Sequence, residues 1–234
     1  MNKLQHLGII MDGNRRWAKK NMLKTVTEGH KIGARRFIDL CSWCIDENIQ
    51  YVTVYAFSVE NWSRPQEEID GIFDLIEYFF NNEIENCVKN GVRLRILGDR
   101  AKLKQSTQNI VEDAEKKTRE CAKLNAQIAL NYTGRDEIIR SINKLFTKRK
   151  EEKYFDKDVT AEEFEKYLDT AGIPDIDLVI RTGADGRKRL SGFFPWQSVY
   201  AELNFLDLLW PDFSKKDLVD AIAWYNEIKR LKGA

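Results

Sequence analysis

An α/β fold in one domain spanning residues 1–234, with a mostly parallel central sheet of about six strands flanked by helices, is predicted by three observations. Strand-length apolar runs alternate with helix-period segments from one end of the chain to the other. The 234 residues are 43% hydrophobic and 32% charged, with four prolines, which suits a compact domain and excludes a disordered or collagen-like chain. The clearest strand run, Gln50-Tyr-Val-Thr-Val-Tyr-Ala-Phe57, is β-branched and aromatic on both faces, as in a strand buried between two helical layers.

The elements follow in order. Residues 6–11 form a short apolar run of strand length, closed by Asp12 and Gly13, and residues 14–20 open a helix carrying four cations. In 28–47 the apolar positions Phe37, Leu40, Cys41, Cys44 and Ile45 recur at helical spacing, which makes Cys41-Ser-Trp-Cys44 a pair of core cysteines instead of a redox or metal motif. Strand 50–57 leads to helix 66–90, whose stripe is Ile69, Ile72, Phe73, Ile76, Phe79 and Phe80. Strand 92–97, helix 106–124, strand 126–131 and helix 135–150 continue the alternation, and the mixed charges of 148–157 read as a solvated loop or helix end. A short helix at 161–169, strands at 178–181 and 202–205, and a helix at 214–231 complete it.

With 38 Lys and Arg against 37 Asp and Glu, the net charge of +1 draws the chain to neither nucleic acid nor an anionic membrane. No apolar run reaches the ~18–20 residues of a membrane span, and the N-terminus lacks the apolar core of a signal peptide. The four cysteines suggest neither a disulfide framework nor a zinc site, so a reducing cytoplasm is the expected compartment.

In sheets of this kind ligands bind beyond the carboxyl ends of the strands, and three polar sets fall there. Asp12-Gly-Asn-Arg-Arg-Trp-Ala-Lys-Lys20 combines an acidic residue able to hold a divalent metal, a glycine that permits close backbone approach, and arginines suited to phosphate oxygens; the alternative is a capped helix with solvated cations. Neither a Walker loop nor a dinucleotide fingerprint is present, and Asn14 stands where a phosphoaspartate phosphatase would need a second Asp. The second set places Ser58, Glu60, Asn61 and Arg64 on the same rim. The third, Arg181-Thr-Gly-Ala-Asp-Gly-Arg-Lys-Arg-Leu-Ser191, has the arginines, glycines and hydroxyls of a diphosphate clamp, and Glu202 on the last strand offers a second metal carboxylate.

These segments, together with Gly29-His30, Ser58-Val-Glu-Asn-Trp-Ser-Arg-Pro65 and Trp196-Gln…Tyr200-Ala-Glu202, resemble the cis-prenyltransferases, closest to the bacterial undecaprenyl diphosphate synthase type, in order across nearly the whole chain. The resemblance implies successive cis condensations of isopentenyl diphosphate onto farnesyl diphosphate, Mg²⁺, a homodimer, a deep apolar tunnel, and peripheral membrane contact through the lipid product. Asp12 and Asn61 would be catalytic. Gly13, Asn14, Arg15, Arg16, Trp17, His30, Ser58, Trp62 and Arg64 would bind the allylic substrate, Arg181, Arg189 and Ser191 the isopentenyl diphosphate, and Asp12 with Glu202 the metal. The tunnel lining is expected from the stripe of helix 66–90 and from Leu94 and Ile96. Arg15 occupies a position that is usually Gly in the family, and the loop at Ala184 to Lys188 is about two residues longer than usual. The trans-type enzymes are excluded because their aspartate-rich motifs need an Asp-Asp pair, which this chain lacks.

Overall fold

The computed structural model describes residues 3–154 and 157–228. Strands β1 (His6–Ile10), β2 (Tyr51–Ser58), β3 (Val92–Leu97), β4 (Leu124–Tyr132), β5 (Leu178–Arg181) and β6 (Glu202–Phe205) form one sheet in the order β3-β4-β2-β1-β5-β6. Every pairing is parallel, so the sheet is wholly and not merely mostly parallel. The connections contain α1 (Asn14–Lys20), α2 (Val26–Asp46), α3 (Gln66–Asn90), α4 (Gln105–Lys117), α5 (Gly134–Glu152) and α6 (Ala161–Glu165), with α7 (Lys215–Glu227) after the last strand.

Alternating strand residues build two cores. Leu7, Ile9, Val52, Val54 and Ile180 pack with the apolar stripes of α2, α3, α4 and α7, whereas Ile10, Ala129 and Val179 face the other way onto Tyr132, Phe193 and Phe194. Central β1 is buried throughout, as its unbroken apolar run requires. Edge strand β3 instead turns Arg93 outward, which discourages further pairing. Cys41 and Cys44 are free and buried in the first core, and burial raises both thiols well above their ordinary pKa.

Two boundaries differ from expectation. Helix α4 stops at Lys117 because the buried Thr118 hydroxyl donates to the Ala114 carbonyl and accepts from the Leu94 amide, fixing the chain for its entry into β4 at Leu124. Helix α6 ends at Glu165 because Asp169 is drawn to α5, its amide donating to Glu137 and its carboxylate receiving Arg140 as a bidentate partner. The charged run expected as a solvated loop or helix end is the exposed end of α5, apart from Arg149, which is buried against Glu163. The expected tail of helix 214–231 falls in part outside the described residues.

The strand order places the site. From β1 the chain crosses to β2 on one side, while β5 pairs on the other, so the carboxyl ends of β1 and β5 flank the point where the winding reverses.

Candidate active site

A polar cavity of about 510 Å³ opens at this point. Asp12, Asn14, Ser58, Asn61, Arg64, Arg181, Arg189 and Ser191, drawn from all three motifs, line it together with His30.

Asp12 lies two residues beyond β1, its carbonyl accepting from the Trp210 amide at 3.0 Å and the Thr182 hydroxyl at 2.8 Å. Its carboxylate accepts from Arg181 Nη2 at 2.9 Å and from Arg16 Nη2 at 3.2 Å, with a third of the side chain exposed to the cavity region. Arg181, 6% exposed, also donates to the Ser191 hydroxyl at 2.8 Å and to the Arg189 carbonyl, so one guanidinium joins Asp12 to the clamp loop. Arg16 spans a parallel gap, donating to the Gly183 carbonyl at 2.6 Å. Gly13, at φ 117°, is the residue before α1, in a conformation that L side chains rarely adopt. Neither Asp12 nor Asn14 caps that helix, so both side chains are available to the cavity.

A second cluster centres on Glu68, 5% exposed in the first turn of α3. Arg64 lies 3.1 Å, Arg15 3.5 Å and His30 3.7 Å from its carboxylate oxygens. Burial and the Arg64 charge lower the His30 pKa below its ordinary value, opposed by Glu68, so the ring stays neutral near pH 7. Ser58 and Asn61 form a capping box at the turn after β2.

Some predicted residues do not line the cavity. The Trp17 indole donates to Asp212 at 2.6 Å, and Trp62 donates to Asn131 while stacking on Phe73 at 5.3 Å. Arg15 is half exposed and meets Glu68. Glu202 begins β6 opposite Leu178, whereas Asp12 lies past Ile10, the partner of Arg181; about 10 Å of strand separates the two ends, so a single chain does not bring Glu202 to Asp12. Glu60, expected on the rim, lines the cavity as well, and so does Tyr55, which with Glu68 the sequence does not point to. The one signal for Glu68 was its i+4 spacing from Arg64.

Next to the polar cavity lies an apolar one of about 100 Å³, and Met11, Asn14, His30 and Ala56 border both. Ile72, Ile76, Phe79 and Phe80 line it as expected, but Leu94 and Ile96 are buried in the sheet core, and Val54 and Ile128 take the strand positions.

Three buried polar atoms at the site make no hydrogen bond to the described residues: Asn14 Oδ1, His30 Nε2 and Arg181 Nε. Buried groups of this kind ordinarily have partners, so their concentration here marks a place for a polar ligand. Among the described residues no three His, Cys, Asp or Glu side chains gather as a metal cage. Mg²⁺ is commonly held by one or two carboxylates together with substrate phosphates and water, and Asp12 beside a polar cavity fits that donor set.

Residues 10–233 match the family model for undecaprenyl diphosphate synthase. The chain is 40% identical over 233 residues to an isoprenyl transferase of Leptospira interrogans, covering 99% of this chain and 95% of the relative. It is 42% identical over 217 residues to one of Helicobacter hepaticus, covering 92% and 90%. Two solved structures share the fold. Lavandulyl diphosphate synthase from Lavandula x intermedia, in complex with dimethylallyl diphosphate, has a TM-score of 0.93 at 30% identity, with 99% of each chain covered. A probable undecaprenyl diphosphate synthase from Campylobacter jejuni has a TM-score of 0.83 at 34% identity, with both chains fully covered. On this agreement in sequence, fold and length, the chain belongs to the cis-prenyltransferase family of isoprenyl transferases.

Proposed function

We propose that the chain condenses isopentenyl diphosphate with farnesyl diphosphate in successive cis additions, releasing diphosphate each time and ending at undecaprenyl diphosphate. The observation that carries this reading is the junction of the two cavities: a cationic cradle with room for diphosphates opens directly into an apolar pocket suited to a prenyl chain. The structural neighbour in complex with an allylic diphosphate supports the substrate class.

In this reading Asn14, Arg16 and the backbone near Gly13 bind the allylic diphosphate, with Arg64 and Ser58 at the rim. Arg181, Arg189 and Ser191 hold the isopentenyl diphosphate. Mg²⁺ bound at Asp12 would supply positive charge to the leaving diphosphate oxygens. The allylic C–O bond breaks and its electron pair leaves with the diphosphate; the arginines beside Asp12 stabilise that charge as it develops, which lowers the barrier. The isopentenyl double bond then forms the new C–C bond, and a proton leaves its C2. His30, neutral and at the boundary of the two cavities, is placed to accept it or to orient the group that does, together with Asn61.

The same reading takes the chain as a single catalytic domain over 1–234, cytoplasmic and in peripheral contact with membrane through its lipid product. No helix among the described residues is long and apolar enough to cross a membrane. A homodimer is supported by Val199, Tyr200 and Leu203, exposed apolar side chains at the open edge beside β6, which a second copy would cover.

The test is incorporation of labelled isopentenyl diphosphate by the pure protein. It should require farnesyl diphosphate, stop in excess chelator and return when Mg²⁺ is restored. Folded protein that incorporates no label under these conditions would favour a non-catalytic subunit of the same fold.

A further inference from the structure

Strand β4 breaks its own alternation at Asn131. Along its pairing with β2, Phe57 is matched with Leu130 and Ser58 with Tyr132, so Asn131 is an extra residue with no opposite. Its φ of 50° is left-handed, a conformation that asparagine tolerates and most L residues avoid, and the residue is fully buried. Strict alternation after Ala129 and Leu130 would send Asn131 toward Phe193 and Phe194 and Tyr132 to the opposite core. The bulge reverses both. Tyr132 stacks on Phe194 with ring centroids 4.1 Å apart, and Asn131 reaches Trp62, whose ring lies on Phe73 of the other core.

Both ends of the Asn131 amide are engaged. The Trp62 indole N–H donates to its Oδ1 at 2.7 Å, and its Nδ2 donates to the Asp99 carbonyl at 2.8 Å. An indole N–H only donates and a carbonyl only accepts, so these partners fix which way the amide points. Trp62 belongs to the turn Val59–Ser63, and Ser58, Asn61 and Arg64, within and beside that turn, line the polar cavity. The turn's own bonds are local: the Ser58 amide donates to Asn61 Oδ1, the Arg64 amide to the Asn61 carbonyl and the Ser63 hydroxyl to the Glu60 carbonyl. These shape the turn, whereas the bond from Trp62 to Asn131, 69 residues away in sequence, ties it to the sheet. A bulge with a left-handed residue persists only where its surroundings hold it, and such features gather where function needs a side chain aimed.

We propose that Asn131 is a positioning residue for the allylic end of the site: the bulge aims its amide at Trp62, and that bond holds the turn so that Ser58, Asn61 and Arg64 face the cavity. The inference rests on the prenyl-elongation reading and adds a residue that does not line the cavity and acts through Trp62.

The test is a double-mutant cycle on the full chain, read as initial incorporation of labelled isopentenyl diphosphate with farnesyl diphosphate and Mg²⁺. Asn131→Gly keeps the left-handed backbone and removes the amide, while Trp62→Phe keeps a ring on Phe73 and removes the indole N–H. Each should lower kcat/KM for farnesyl diphosphate at least about tenfold, the scale of one buried hydrogen bond. KM for isopentenyl diphosphate should stay within about twofold of wild type, since Arg181 and Ser191 are held by other contacts. The double variant should fall no more than about twofold below the weaker single one, because both changes remove the same bond. If wild type elongates but the single losses multiply, both KM values rise alike, or the variants keep wild-type constants, the positioning role is refuted and the elongation reading stands. Should Asn131→Gly not fold, Trp62→Phe decides by the same constants. A wild type that incorporates no label overturns both together.

Discussion

Asp12 is the residue on which the site turns. Replacing it with Ala removes the carboxylate that Arg16 and Arg181 share but leaves the main-chain bonds to Trp210 and Thr182, so the fold should survive. Turnover should fall by at least about 10²–10³, the scale of losing one charge-stabilising group, with little change in melting temperature. Near-normal turnover in the purified variant would contradict the assignment. Arg181 and Ser191 were legible in the sequence because they stand at a strand end among glycines. Glu68 was not, since its three partners, Arg15, His30 and Arg64, come from α1, α2 and the turn before α3 and meet only after packing. Trp17 and Trp62 stand in family motifs, and what the sequence could not show is that both indole N–H groups are held by side chains of distant segments. His6 is a buried ring of another kind, between the Pro174 carbonyl and the Thr53 hydroxyl at 2.7 Å each, and burial pushes its pKa down to about 4. Because the folded value is depressed, the unfolded chain binds the extra proton below its own pKa of about 6.5. The native state therefore loses stability as pH falls from there toward about 4, by on the order of 3 kcal/mol in total. The unfolding free energy of wild type minus that of His6→Gln should shrink across this interval. A difference independent of pH would contradict it.

At the scale of elements, the close approach of α1 and α2 fixes the cradle. A Cβ on Gly29 would collide with the main-chain carbonyl of Asn14, and one on Gly33 with the Asn14 side chain, so α2 presses against the start of α1 only because these positions are bare. Gly29→Ala should cost roughly 1–3 kcal/mol by overpacking and shift Asn14, raising KM for the allylic diphosphate more than for isopentenyl diphosphate. Steady-state kinetics and a denaturation curve measure the two effects, and equal rises in both KM values would argue against a local displacement. The helices and strands were legible wherever periodicity decided them: α3 matches its apolar stripe from Gln66 to Asn90. Boundaries failed where a tertiary hydrogen bond overrode local propensity, as the Thr118 hydroxyl does at the end of α4 and Asp169 does after α6.

For the whole molecule, the alternation of elements predicted a parallel sheet with its site at the strand ends, and the reversal of winding between β1 and β5 accounts for the meeting of Asp12 and Arg181 across 169 residues of sequence. The sequence could not show the size of the apolar cavity, because volume depends on how side chains from α2, α3 and the sheet fill shared space. Nor could it show that Glu202 lies at the opposite end of its strand from Asp12, since that follows from strand register. The central claim is that one continuous site, polar at its mouth and apolar within, builds a long prenyl chain. Pure protein supplied with Mg²⁺, farnesyl diphosphate and excess labelled isopentenyl diphosphate, with products resolved by length and double-bond geometry, tests it most directly. The account predicts a ladder of cis-elongated products ending at the undecaprenyl length; a single condensation with no further growth would contradict it.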